Sequence, residues 1–87
     1  MKHPTEKELE RKKKNALHMP AAIHMGKKGI TPSLIQETAH QLELKDVVKI
    51  KVLKSVEDPE SILSELANAC NAVVWKQVGR VGILVLK

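Results

Sequence analysis

The sequence predicts a two-layer α/β fold, with elements in the order α-β-α-β-α-β-β and a mixed four-stranded sheet. Three observations predict it. Apolar residues switch between helical spacing and strict alternation along the chain. Two cap-plus-proline signals, Thr31-Pro32 and Asp58-Pro59, each open a helix between apolar strand candidates. The C-terminal stretch holds two apolar runs about a Gly79-Arg80 turn, which reads as a hairpin. The strand–helix–strand unit requires parallel neighbours with a right-handed crossover. The hairpin is antiparallel, so the sheet is mixed.

The first helix starts at Pro4-Thr5, with Thr5 as N-cap and Glu8 three residues on as its capping-box partner. Glu6, Glu8 and Glu10 suit its positive end, and Arg11 to Lys14 lie nearer its negative end. Leu9, Lys13, Ala16 and Leu17 share roughly one face. That thin apolar stripe predicts light docking, with the Lys/Arg side chains projecting outward. Pro20 ends the helix.

Ala21 to Met25 is a short buried strand, followed by the Gly26-Lys27-Lys28-Gly29 loop. Leu34, Ile35, Thr38, Ala39 and Leu42 give the second helix its core stripe, and Leu44-Lys45-Asp46 reads as a turn. Val48, Ile50 and Val52 alternate with Lys49 and Lys51, a half-buried strand with a basic outer face. Ile62, Leu63, Leu66, Ala67 and Cys70 form the third helical stripe, stopped at Asn71. Val73 to Val78 and Val81 to Leu86 are the last strands. Gly79 in first place suits a two-residue type II′ turn, although Gly82 leaves the register open.

The 87 residues suffice for one domain, 1–87, with residues 1–19 as a basic N-terminal helix. Hydrophobic content of 43% and charged content of 29% place it among soluble globular proteins. No apolar run spans a membrane, the N-terminus does not read as a secretory signal, and lone Cys70 forms no internal disulfide. A cytoplasmic monomer is expected. The formal charge of +5 is placed unevenly. Residues 1–28 carry eight Lys/Arg and three Glu, whereas residues 29–87 carry seven of each sign. Such asymmetry points to a polyanion-binding face or to a solvated basic helix.

Gly26-Lys27-Lys28-Gly29 is the sharpest local signal. Its glycines permit close backbone approach or positive φ. The following helix aims N–H groups and a positive dipole end at the loop, and the lysines add full charge. A phosphate is the ligand implied. No P-loop pattern surrounds it, so a nucleic-acid backbone is the better reading. With no Phe, no Tyr and one Trp, the chain cannot build an aromatic stacking platform. Contact would run through phosphate, sugar and shape.

Ile23-His24-Met25-Gly26-Lys27-Lys28-Gly29-Ile30-Thr31, Leu44 through Val52, Ala72-Val73-Val74 and Gly79-Arg80 together resemble the CRM domain (chloroplast RNA splicing and ribosome maturation). The likeness is to its small stand-alone bacterial and archaeal members, from about Leu17 to the C-terminus. It implies a shape similar to the C-terminal domain of bacterial initiation factor three. It also implies RNA binding, with ribosomal RNA of the large-subunit precursor as partner, and contact at Gly26, Lys27, Lys28 and Gly29. Family members often end in an aromatic-basic pair, whereas this chain ends Leu84-Val85-Leu86-Lys87.

Further candidates for the RNA face are Lys12, Lys13 and Lys14, Lys49 and Lys51, and Arg80. Each has a plainer reading: a solvated helix end, a solvated strand face, a polar turn residue. Trp75 fits a core, groove-edge or stacking role. Histidines 3, 18, 24 and 40 lack metal-ligand spacing, and no acid/base constellation stands out. The expectation is a binding protein without metal, cofactor or enzymatic activity. The alternatives are a KH-like or chromatin-type nucleic-acid binder, and an adaptor that docks on protein through the Ile62–Cys70 helix or the last strand. An apolar strand after Pro20 precedes the loop, where a KH loop would join two helices; this favours CRM.

Overall fold

Capping side chains set where each helix begins. In a computed structural model that describes residues 5–87, Thr31 Oγ1 accepts the Leu34 N–H at 3.1 Å, and Asp58 Oδ1 accepts the Ser61 N–H at 3.2 Å. Each cap is followed by proline at the first helical position, where a missing N–H costs nothing. Thr5 Oγ1 accepts the Glu8 N–H at 3.2 Å and donates to Glu8 Oε1 at 3.1 Å. The Pro4 part of that start signal lies outside the described residues. The elements are α1 (Glu6–His18), β1 (Ile23–Met25), α2 (Pro32–Lys45), β2 (Val47–Val52), α3 (Pro59–Ala69), β3 (Ala72–Val78) and β4 (Val81–Leu86). This is the expected order.

Left-handed residues set where two helices end. The turn expected at Leu44-Lys45-Asp46 is shorter than the sequence suggests. α2 runs through Lys45, and Asp46 alone, at φ 66°, swings the chain into β2. A short polar side chain tolerates this conformation. The Asp46 N–H caps the Leu42 carbonyl at 2.8 Å. Asn71, at φ 56°, does the same after α3, as expected.

The sheet has the order β1-β2-β4-β3. β1 and β2 are parallel, Ile23 beside Ile50 and Met25 beside Val52; the other pairs are antiparallel. Val78 pairs with Val81 across a two-residue turn, and only Gly79 of the two central residues has positive φ. That is the sign pattern of type II′. Gly82 belongs to β4. A Cβ there would lie 2.7 Å from Leu63 Cδ1, so glycine lets α3 close on the strand.

One sheet face carries Ile23, Met25, Val48, Ile50, Val52 and Leu84 against Leu42, Leu63 and Leu66 of α2 and α3. These two layers are the body expected. Cys70 joins this core, and burial pushes its thiol pKa up.

The reverse face is covered in part by α1, and here the expectation of outward-pointing lysines needs correction. Leu9, Lys12, Lys13 and Ala16 lie at three- and four-residue spacings and share the inward face. Lys12 pairs with Asp46. Lys13 lies 5.4 Å above the Trp75 ring and 3.5 Å from Glu10, its side chain only 14% exposed. Lysine stems cover apolar surface readily, so these two residues act as docking groups. The register shift between Val74 and Lys76 leaves Trp75 as the extra residue of a bulge under α1. Ile83 and Val85 are buried on this side.

Candidate nucleic-acid interface

The C-terminal ends of β1 and β2 open on the same edge of the molecule, because the two strands are parallel. The Gly26–Gly29 loop leaves β1 there. It is a tight turn closed by the Gly29 N–H on the Gly26 carbonyl at 2.9 Å. Lys27 and Lys28 are its two central residues, and both side chains are exposed. Gly29 has φ 66°, the left-handed region that favours glycine. Gly26 lacks positive φ, and a Cβ there would meet only Leu53 Cδ1 at 3.5 Å. Close backbone approach, not turn geometry, is what glycine offers at Gly26.

The helix start behind the loop supplies fewer donors than expected. Pro32 has no N–H, Leu34 gives its N–H to Thr31 Oγ1, and Ile35 gives its to the Thr31 carbonyl. Ser33 is left as the donor of that first turn. The dipole still favours an anion, and the first turn of α2 holds no acidic residue. The two lysines therefore carry most of the anion-attracting charge.

Two further loops are tied to this edge. The Leu53 N–H donates to the Met25 carbonyl at 2.9 Å, and the Val52 N–H to the Arg80 carbonyl at 2.7 Å. Arg80 Nη1 donates to the carbonyls of Leu53, at 3.0 Å, and of Val56. The guanidinium braces the β2–α3 loop against the hairpin. Lys49 is likewise engaged: its Nζ donates to the Met19 carbonyl at 2.8 Å and to the Leu17 carbonyl at 3.4 Å, closing the C-terminal end of α1.

The structure thus divides the candidates. Lys27, Lys28 and Lys51 are exposed at one edge, with His24 beside Lys51 in the register. Lys14 is exposed on α1. Lys12, Lys13, Lys49 and Arg80 hold elements together. Sequence reasoning missed two exposed cations. Lys54 follows β2 at the same edge, and Lys76 shares the reverse face with Lys49 through their common partner Ile83. Alternation along β3 sets Lys76 on the core face with Val74; the register shift at Trp75 moves it to the reverse face, which no pattern in the sequence reports.

Charge that balances along the sequence separates in space. The four strands carry Lys49, Lys51 and Lys76 and no Asp or Glu. α2 and α3 carry Glu37, Glu43, Glu60 and Glu65 against the single Lys45. The strand lysines, with Lys27 and Lys28, thus stand apart from the glutamates of the helix layer, while the β2–α3 loop at the GKKG edge carries Lys54 together with Glu57 and Asp58. Among the described residues no group of three His, Cys, Asp or Glu gathers as metal ligands, and no helix is long and apolar enough to cross a membrane.

A mixed four-stranded sheet backed by two helices, with a lysine-bearing GxxG turn where β1 meets α2, defines a small α/β domain with a basic edge. The chain belongs to the CRS1 / YhbY (CRM) domain family, whose model matches residues 5–85. It is 36% identical over 69 residues to a Methanocaldococcus jannaschii protein named as a probable RNA-binding protein; the match covers 76% of this chain and 51% of that one. The chain therefore spans about half the length of this curated relative. Its fold is similar to the solution structure of a hypothetical Staphylococcus aureus protein described as an RNA-binding candidate, with TM-score 0.73 and 20% identity, over 98% of this chain and 90% of that one.

Proposed function

We propose that this chain binds RNA through the Gly26–Gly29 turn and the basic side around it, and that its target is ribosomal RNA in an assembling large subunit. The observation that carries the reading is the exposed Lys27-Lys28 pair at the centre of a tight turn, with exposed Lys51 and Lys54 at the same edge. The family and the printed name of the archaeal relative support RNA as the polyanion. The resemblance to stand-alone CRM members supports the ribosomal target.

The turn works by charge and shape. Two ammonium groups on a glycine-flanked turn let a phosphodiester approach the backbone and release its counterions. Lysines and glycines supply no paired acid and base, so the site binds without chemical turnover. The test is ultraviolet cross-linking in an extract of the cell of origin. Recovery of large-subunit precursor RNA, abolished in Lys27→Ala with Lys28→Ala, is the expected result. Recovery of other RNA only would refute the ribosomal target. Preferential displacement by duplex DNA would favour the chromatin-type reading.

A further inference from the structure

A second contact surface lies on the reverse face of the sheet, beyond the end of α1. Strand register builds it in rows. His24, Lys51, Val81 and Val78 stand side by side across the four strands. The next row holds Lys49, Ile83 and Lys76. Between these rows and Leu17 of α1 runs a groove of about 270 Å³, floored by Val78, Val81 and Ile83 and flanked by Lys49 and Lys76. α1 stops short of it because the chain leaves the helix at Met19, where Lys49 ties it down. Val78 is therefore left 65% exposed.

We propose that this groove receives one unpaired nucleotide of the RNA whose backbone crosses the Lys27-Lys28 turn, with the base on the valine and isoleucine floor and flanking phosphates at Lys51 and Lys76. This rests on the RNA-binding reading above and adds single-stranded character to the ligand. Three observations favour it. The groove lies just under the roughly 300–1,000 Å³ typical of small-molecule pockets, a size that suits one flat group. Its walls are apolar below and cationic at the rim, complementary to a base joined to phosphates, and the strands offer no carboxylate to repel them. Lys51 stands between the groove and the turn: in one row it lies beside His24, two residues before the loop, and beside Val81 of the groove floor. An acidic peptide seeking strand addition would need an open edge. β3 is the outer strand, but the groove lies on the face of β3 and β4, built by the side chains of Val78, Val81 and Ile83, and not along the hydrogen-bonding edge that strand addition uses.

The test compares a short oligouridylate carrying 4-thiouridine with a fully paired RNA hairpin. Val78→Glu and the neutral Val78→Ser both remove apolar floor at an exposed position. For Val78→Glu we expect about tenfold weaker oligouridylate binding, in line with losing roughly one buried valine. Val78→Ser should show a smaller loss in the same direction and, adding no charge, should leave hairpin binding within about twofold of the parent, below 0.5 kcal/mol. Cross-links should fall in residues 76–83 as well as 26–29. Unchanged oligouridylate affinity in both variants, or cross-links confined to 26–29, would overturn the proposal. A poly-glutamate peptide that binds parent but not Val78→Ser, without displacing RNA, would assign the groove to a protein instead. Lys27→Ala with Lys28→Ala should weaken both RNAs. If it weakens neither, the turn reading fails while the Val78 variants still report on the groove.

Discussion

A side chain at Gly29 would have to adopt φ 66° with its Cβ 3.3 Å from Ile62 Cδ1. The left-handed backbone alone costs an L-residue about 1–2 kcal/mol. Gly29→Ala should therefore lower unfolding free energy by about that amount in urea melts. Gly26→Ala, with only an ordinary contact to Leu53, should stay within about 0.5 kcal/mol of the parent. Equal effects would mean that the turn is not held as described. Thr38 gives the opposite sign. It is fully buried and its hydroxyl has no hydrogen-bond partner. An unmatched buried hydroxyl is destabilising, so Thr38→Val should raise stability by about 1 kcal/mol in the same melts. The sequence placed Thr38 correctly on the core stripe, because spacing reports the face. It did not report the orphaned hydroxyl, because that depends on which carbonyls lie nearby.

Among the elements, α1 separates what spacing can and cannot show. Its boundaries follow from Thr5, Glu8 and Pro20, all local signals. Its docking does not. Lys12 meets Asp46 thirty-four residues on, and Lys13 meets Trp75 of β3, further still along the chain. Pairings of that range carry no periodic signature. A helix that merely displayed its lysines could be cut away at little cost to the fold. Here, removing residues 1–15 strips Lys13 from the Trp75 ring and Lys12 from Asp46. Leu9 contributes up to about 1.5–3 kcal/mol by burial, and the Lys13–Trp75 contact about 0.5–1. We expect the truncated protein to lose about 2 kcal/mol or more. Trp75 is the only tryptophan, so its fluorescence reads the change directly: emission should shift to longer wavelength in the folded truncated protein. Unchanged emission and unchanged stability would show that α1 does not pack on the sheet in solution.

At the scale of the whole molecule, the fold was legible because each element carries its own punctuation: Thr31-Pro32, Asp58-Pro59, Asn71, Gly79-Arg80. The GKKG turn was legible for the same reason. The basic side was only half legible. Counting charge along the chain puts the excess in residues 1–28 and calls the remainder balanced, yet within it the strands carry three lysines and no acid while α2 and α3 carry four glutamates and one lysine. Position should therefore matter more than net charge. Lys27 and Lys28 lie past the C-terminal ends of β1 and β2. Lys45 and Lys87 lie at the other end of the sheet, where the Leu86 N–H meets the Asp46 carbonyl and the Lys87 N–H meets the Asn71 carbonyl. The six residues of β2 separate the two ends by about 17 Å, beyond the Debye length of about 8–10 Å near physiological salt. Lys27→Ala with Lys28→Ala and Lys45→Ala with Lys87→Ala change net charge equally. Titrations of a single-stranded RNA over a range of salt concentrations distinguish them. The first pair should reduce the slope of log K against log salt by about 1.4, near 0.7 for each phosphate that is no longer neutralised. The second should leave the slope nearly unchanged. Equal reductions would mean that RNA responds to overall charge rather than to the GKKG edge.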